Sequence, residues 1–105
     1  MSKFGNKPIT IDGIKFQSML EGSFYQSVKA WHKAGKILSY RMQVPFDLHG
    51  GIKYKLDFEI LDAKAKNRFV EVKGYWTAVA KLKRKLFEAD FGTLEIHTAK
   101  EPWKP

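Results

Sequence analysis

The sequence predicts an α/β fold: a mixed β-sheet flanked by two helices, with an N-terminal β-hairpin. Three observations carry this. Two segments space their apolar residues at helical intervals and end near a glycine. Three runs between them alternate apolar and polar residues. Short alternating runs stand before the first helix and after the second.

Residues 1–7 are polar, carry no pattern and are expected to be loose. "ITIDGIKF" reads as a hairpin, because Asp12-Gly13 tolerates the positive φ of a tight turn. "SMLEGSFYQSVKAWHKAG" reads as a helix. Leu20, Phe24, Val28 and Trp31 form its stripe, Ser18 its N-cap and Gly35 its stop. In "ILSYRMQVPFDL", Leu38, Tyr40, Met42 and Val44 share a face, and Pro45 marks a bend or an edge. "HGG" is a turn. "YKLDFEIL" points Tyr54, Leu56, Phe58 and Ile60 inward, "DAKAKN" is a polar turn, and "RFVEVKGYW" is the next strand. "TAVAKLKRKLFEADFG" is a second helix capped by Thr77, with Val79, Leu82 and Leu86 as its stripe. "TLEIHT" is a last strand, returned in parallel by a right-handed crossover. The tail "AKEPWKP" is expected to be irregular because of its prolines.

A chain of 105 residues is expected to form one domain, and 44% hydrophobic residues suit a folded one. No apolar run approaches the roughly 20 residues that span a bilayer, and "MSKFGNKPIT" lacks the apolar stretch of a signal peptide. Cysteine is absent, which excludes disulfides and thiolate zinc sites. A cytoplasmic location is the expectation. Nineteen Lys and Arg against eleven Asp and Glu give a net charge of +8, so a polyanion is the expected partner, nucleic acid first among them.

The two central strands carry the chemistry. On "YKLDFEI" the polar face holds Lys55, Asp57 and Glu59; on "FVEVKG" it holds Glu71 and Lys73, with Val70 and Val72 turned to the core. If the strands are neighbours, Asp57 approaches Glu71 across the ladder. Two unpaired carboxylates repel, and a divalent cation resolves the conflict. Hard carboxylate oxygens suit Mg²⁺, with Lys73 beside it to orient or deprotonate a water. The plain alternative is a solvated face where Lys55 and Lys73 neutralise the acids.

"LDF" followed by "VEVKG" resembles the D…(D/E)-x-K signature of the PD-(D/E)xK nucleases, whose fold is restriction-endonuclease-like. "FQSMLE", "QVPFDL", "YKLDF" and "VEVKGYW" follow one another in the order and spacing seen in phage endonuclease I-type Holliday-junction resolving enzymes. The match spans roughly residues 14–76, and Leu56 stands where the family has proline before the aspartate. The resemblance implies that Asp57 and Glu71 hold Mg²⁺ or Mn²⁺ with the Val72 carbonyl. It implies that Glu21 binds a second metal or tunes the first, and that Lys73 positions or activates water. The reaction would be in-line phosphodiester hydrolysis. Glu21 also fits a Ser-x-x-Glu capping box with Ser18.

On the second helix Lys81, Lys83, Arg84 and Lys85 read either as a solvated face or as phosphate contacts, with Lys81 and Lys85 on one flank; Lys53, Lys55 and Arg41 extend the track. The expected function is a metal-dependent endodeoxyribonuclease for branched DNA, working as a homodimer because resolution needs two symmetric cuts. The alternatives are another PD-(D/E)xK nicking or repair nuclease, and a metal-free nucleic-acid-binding module.

Overall fold

A computed structural model describes residues 7–105, so the expectation for the first residues, as far as position 6, lies outside the described residues. The elements are β1 (Ile9–Ile11), β2 (Ile14–Phe16), α1 (Met19–Lys33), β3 (Ile37–Leu48), a 3₁₀ turn (His49–Gly51), β4 (Ile52–Asp62), β5 (Asn67–Val72), α2 (Ala78–Phe91) and β6 (Leu94–His97). β1 and β2 form a two-stranded sheet; the main sheet has the order β3-β4-β5-β6. Its first three strands are an antiparallel meander, and β6 joins β5 in parallel. The expected α/β architecture with a mixed sheet and N-terminal hairpin is therefore present.

Asp12 and Gly13 both take positive φ, 55° and 76°, the conformation of a type I′ turn. The hairpin lies against the first turn of α1. A Cβ on Gly22 would stand 2.9 Å from Ile9 Cγ2, so only glycine admits so close an approach. Ser18 Oγ accepts from the Glu21 amide and caps α1 as read from the sequence.

Two apolar clusters fill the fold. One gathers Phe16, Phe24, Tyr25, Val28, Ile37, Phe58, Ile60, Val70 and Trp103 around α1; the other gathers Leu48, Leu56, Phe87 and Leu94 around α2. The β3–β4 ribbon serves both with the same face. Tyr40, Met42, Phe58 and Ile60 pack in the first cluster, whereas Val44, Phe46, Tyr54 and Leu56 pack in the second. The changeover falls at Gln43, where φ is +53° and the ladder skips from Met42–Phe58 to Val44–Leu56.

Several expectations need correction. Leu38 does not join the inward face of β3: a register shift between Ile37 and Ser39 leaves it 50% exposed and buries Ile37. Strand β5 stops at Val72, short of the expected Trp76. It is covered on both faces, with Val70 in the α1 cluster and Phe69 packed against the α2 cluster, so Glu71 sits on a covered face, 6% exposed. The stripe on α2 is also displaced. Val79 and Leu82 are 61% and 52% exposed, and the side turned inward runs through Ala80, Lys83, Arg84 and Phe87. The tail has no helix or strand, as expected, yet Trp103 is buried. Its amide donates to His97 Nδ1, its indole N–H donates to Glu95, and the Arg68 guanidinium lies 4.7 Å from its ring centroid. Pro45 lies on the edge strand β3, where a missing N–H is harmless.

Candidate active site

The end of the β4–β5 ladder brings the acids together. Pairing closes at Phe58–Val70, and the same register puts Asp57 opposite Glu71. The Val72 amide donates instead to Asp57 Oδ2 at 2.9 Å. From α1, Glu21 enters the same space, and Gln43 Nε2 donates both to Glu21 Oε2 at 3.0 Å and to Asp57 Oδ1 at 3.3 Å. On the far side of Glu71, the Tyr54 hydroxyl donates to Oε1 at 2.5 Å and the Lys73 ammonium stands 3.2 Å from Oε2. Lys73 is anchored by its own amide, which donates to the His97 carbonyl and prolongs the β5–β6 pairing by one residue.

Like charges held in a poorly solvated place disfavour ionisation. Burial first, then the Glu71 and Glu21 charges, push the Asp57 carboxyl up to about 8 from its ordinary 3.8. Burial likewise raises Glu21, with Glu71 adding to it. Tyr54 is pushed up strongly by burial and by the neighbouring Glu71, so its phenol remains a donor. Lys73 is the one ammonium in salt-bridge contact with any of these three acids among the described residues. The donor set therefore suits a hard divalent cation. Among the described residues no group of three or more Asp, Glu, His or Cys side chains is placed so that it could hold a metal ion. The fit is instead to Mg²⁺ or Mn²⁺ held by one or two carboxylates with water completing the shell. Asp57 and Glu71, opposite each other in the register, are the two acids that would hold it.

Glu21 performs two roles that the sequence set against each other. Its Oε1 accepts from the Gln17 amide, not from Ser18 as the capping box implied, and its Oε2 turns to Gln43. The capping and the site contact use different oxygens.

Beside the acids lies an open cleft of about 320 Å³, lined by Tyr54, Lys55, Glu71, Lys73, Trp76 and the first turns of α2, with Lys83 and Arg84. Arg84 is tied into the fold. It donates to the Leu94 carbonyl and lies 5.6 Å from the Trp76 ring centroid, as Lys73 does from the same ring. Its Nε is buried without a hydrogen-bond partner, 3.6 Å from Glu88 Oε1. Lys81 and Lys85 are exposed and do not line the cleft. Arg41 pairs with Glu59, which is 9% exposed and also accepts from Asn67, so Glu59, although on the polar face of β4, is a buried structural acid.

Sequence reasoning missed two residues here, Tyr54 and Gln43, and did not separate Lys83 from its neighbours on α2. Tyr54 was assigned to the core, although a buried phenol needs an acceptor and the acids were the nearest on offer. Lys83 belongs to the cleft because Phe87, not Leu82, sets the inward phase of α2. Gln43 gave no signal beyond its place opposite Asp57.

The fold and site define a small α/β protein with a buried carboxylate–lysine cluster beside a basic cleft. Residues 1–104 match the model of the family described as Protein of unknown function (DUF1064), and the chain belongs to that family. No curated protein and no solved structure matches it. No helix among the described residues is long and apolar enough to cross a membrane.

Proposed function

We propose that this protein is a metal-dependent endodeoxyribonuclease of the PD-(D/E)xK type that hydrolyses phosphodiester bonds in branched DNA, acting as a homodimer. The observation that supports it most is the meeting of Glu21, Asp57 and Glu71, from α1, β4 and β5, next to Lys73 and at the side of a basic cleft. Sequence-distant acids crowded in a concave place, with Asp57 and Glu21 pushed up by burial and by neighbouring charge, are the kind of arrangement found at working sites.

In this reading Asp57 and Glu71, with the Val72 carbonyl, hold Mg²⁺ or Mn²⁺. When bound, the ion supplies Lewis-acid stabilisation of charge on the phosphoryl oxygens. Lys73, fixed between Glu71 and the Trp76 ring, holds the attacking water and takes part in moving its proton. Tyr54 keeps one Glu71 oxygen engaged and so limits its rotation. Lys55, Lys83 and Arg84 receive phosphates of the strand on either side of the cut and fix its register without reading sequence. Two symmetric incisions at a junction require two such sites, hence two chains.

The test is direct. A labelled four-way junction, a flap and a linear duplex are incubated with wild type, Asp57→Ala and Lys73→Ala, with Mg²⁺ or with a chelator. Metal-dependent cleavage of the junction by wild type alone, with binding kept in both variants, is the expected result. Junction binding without cleavage under any divalent ion would instead leave a non-catalytic DNA-binding module. Equal cleavage of all three substrates would leave a general nuclease.

A further inference from the structure

Gln43 lies in the middle of edge strand β3 with φ +53°, a conformation uncommon for a residue with a Cβ. The ladder is regular on both sides, with Met42 opposite Phe58 and Val44 opposite Leu56, so Gln43 falls opposite Asp57 and that one pair is missing. The unusual backbone aims the side chain at the acids. The amide presents its NH₂ to both partners, with one N–H to each carboxyl oxygen. Strained backbone at such a position persists where the surroundings over-determine it and marks a site of function. The two-core changeover of the ribbon does not need glutamine: a glycine turns there more easily.

We propose that Gln43 is a positioning residue for the metal centre. Its amide ties Asp57, the ligating acid on β4, to Glu21 on α1, so that Asp57 meets an incoming cation already oriented. The inference rests on the metal-centre reading above. Outer-shell hydrogen bonds of this kind orient the ligating carboxylates and limit the rotamers they lose on binding.

The test uses the full chain and Mn²⁺ alone, without DNA. Affinity is read by titration calorimetry and by the paramagnetic resonance of free Mn²⁺, and Asp57→Ala identifies the binding that belongs to the site. Gln43→Gly removes the amide and relieves the positive φ, so its melting temperature is expected to match or exceed that of wild type. Its Mn²⁺ affinity is expected to fall about 10–100-fold. Gln43→Asn tolerates the same backbone but is one methylene too short, and is expected to lose affinity likewise. A folded variant of either kind that binds Mn²⁺ like wild type overturns the proposal while leaving the metal centre standing. Absence of Asp57-dependent Mn²⁺ binding in wild type overturns the metal centre itself, and this proposal with it.

Discussion

Replacing Asp57 by Asn should stabilise the metal-free protein while abolishing the proposed activity. The folded carboxyl titrates near 8, against 3.8 ordinarily. Between those values the folded chain holds a proton that the unfolded chain has released. By linkage, stability therefore falls as pH rises from about 4 to about 8, and it is flat above. About four units at about 1.4 kcal/mol each give a ceiling of about 6 kcal/mol. Two effects reduce it. Glu21, itself raised by burial, relaxes part of the repulsion by taking up a proton. The Asn amide can still accept from Val72, but the Gln43 amide must turn over to meet its NH₂, at a cost of about 1 kcal/mol. A net gain of about 2–4 kcal/mol remains at pH 8, enough to raise the melting temperature by at least about 8 °C in a domain of this size. The assay is thermal unfolding of both proteins in chelator at pH 4, 6 and 8. The gap should close at pH 4 and open toward pH 8, and saturating Mg²⁺ should narrow it by raising wild type alone. A variant that melts at or below wild type at pH 8 would refute the picture of crowded, poorly solvated acids.

Phe87→Ala should cost about 3–5 kcal/mol in urea unfolding, because the ring is fully buried among Phe46, Tyr54 and Phe69; Leu82→Ser, on the exposed side of α2, should stay within about 0.5 kcal/mol. In the Asp57→Ala background, Lys55→Ala and Lys83→Ala should each flatten the slope of log affinity for DNA against log salt by about 1, and Lys81→Ala by less, read by fluorescence anisotropy. Glu95 is held below the usual carboxylate range by its Arg68 bonds first, and by Trp103 in addition. A lowered value means stability present above about 4.5 and lost as pH falls. Glu95→Gln should therefore show a flatter acid limb between pH 5 and 3, with a difference below about 1 kcal/mol since the pair is partly solvated.

Local chemistry was legible; long-range cover was not. The Asp12-Gly13 turn and the Ser18 and Thr77 caps depend on neighbours within four residues, and each stands where the sequence puts it. The cross-strand approach of Asp57 to Glu71 was also readable, because the short connection at residues 63–66 leaves one sensible register. The phase of α2 was not. Val79, Leu82 and Leu86 make a cleaner apolar repeat than Ala80 and Phe87, whose face is interrupted by Lys83 and Arg84. What decides between them is the hollow that Phe69, Tyr54 and Leu94 leave for one large ring, which no helical repeat encodes. The cover over Glu71 was hidden for the same reason: alternation tells which residues share a face, not whether a helix covers it. Trp103 lies in a segment with no periodicity at all, and its burial follows from His97, Glu95 and Arg68, six or more residues away.

One ribbon, β3–β4, supplies walls to both apolar clusters. Neither half of the molecule can melt and leave the other its full lining. Native-state hydrogen exchange should then find β4 amides on either side of Phe58 opening only with the whole chain, in a single cooperative step. A ligand gripping the acids at the changeover would slow that opening on both sides at once.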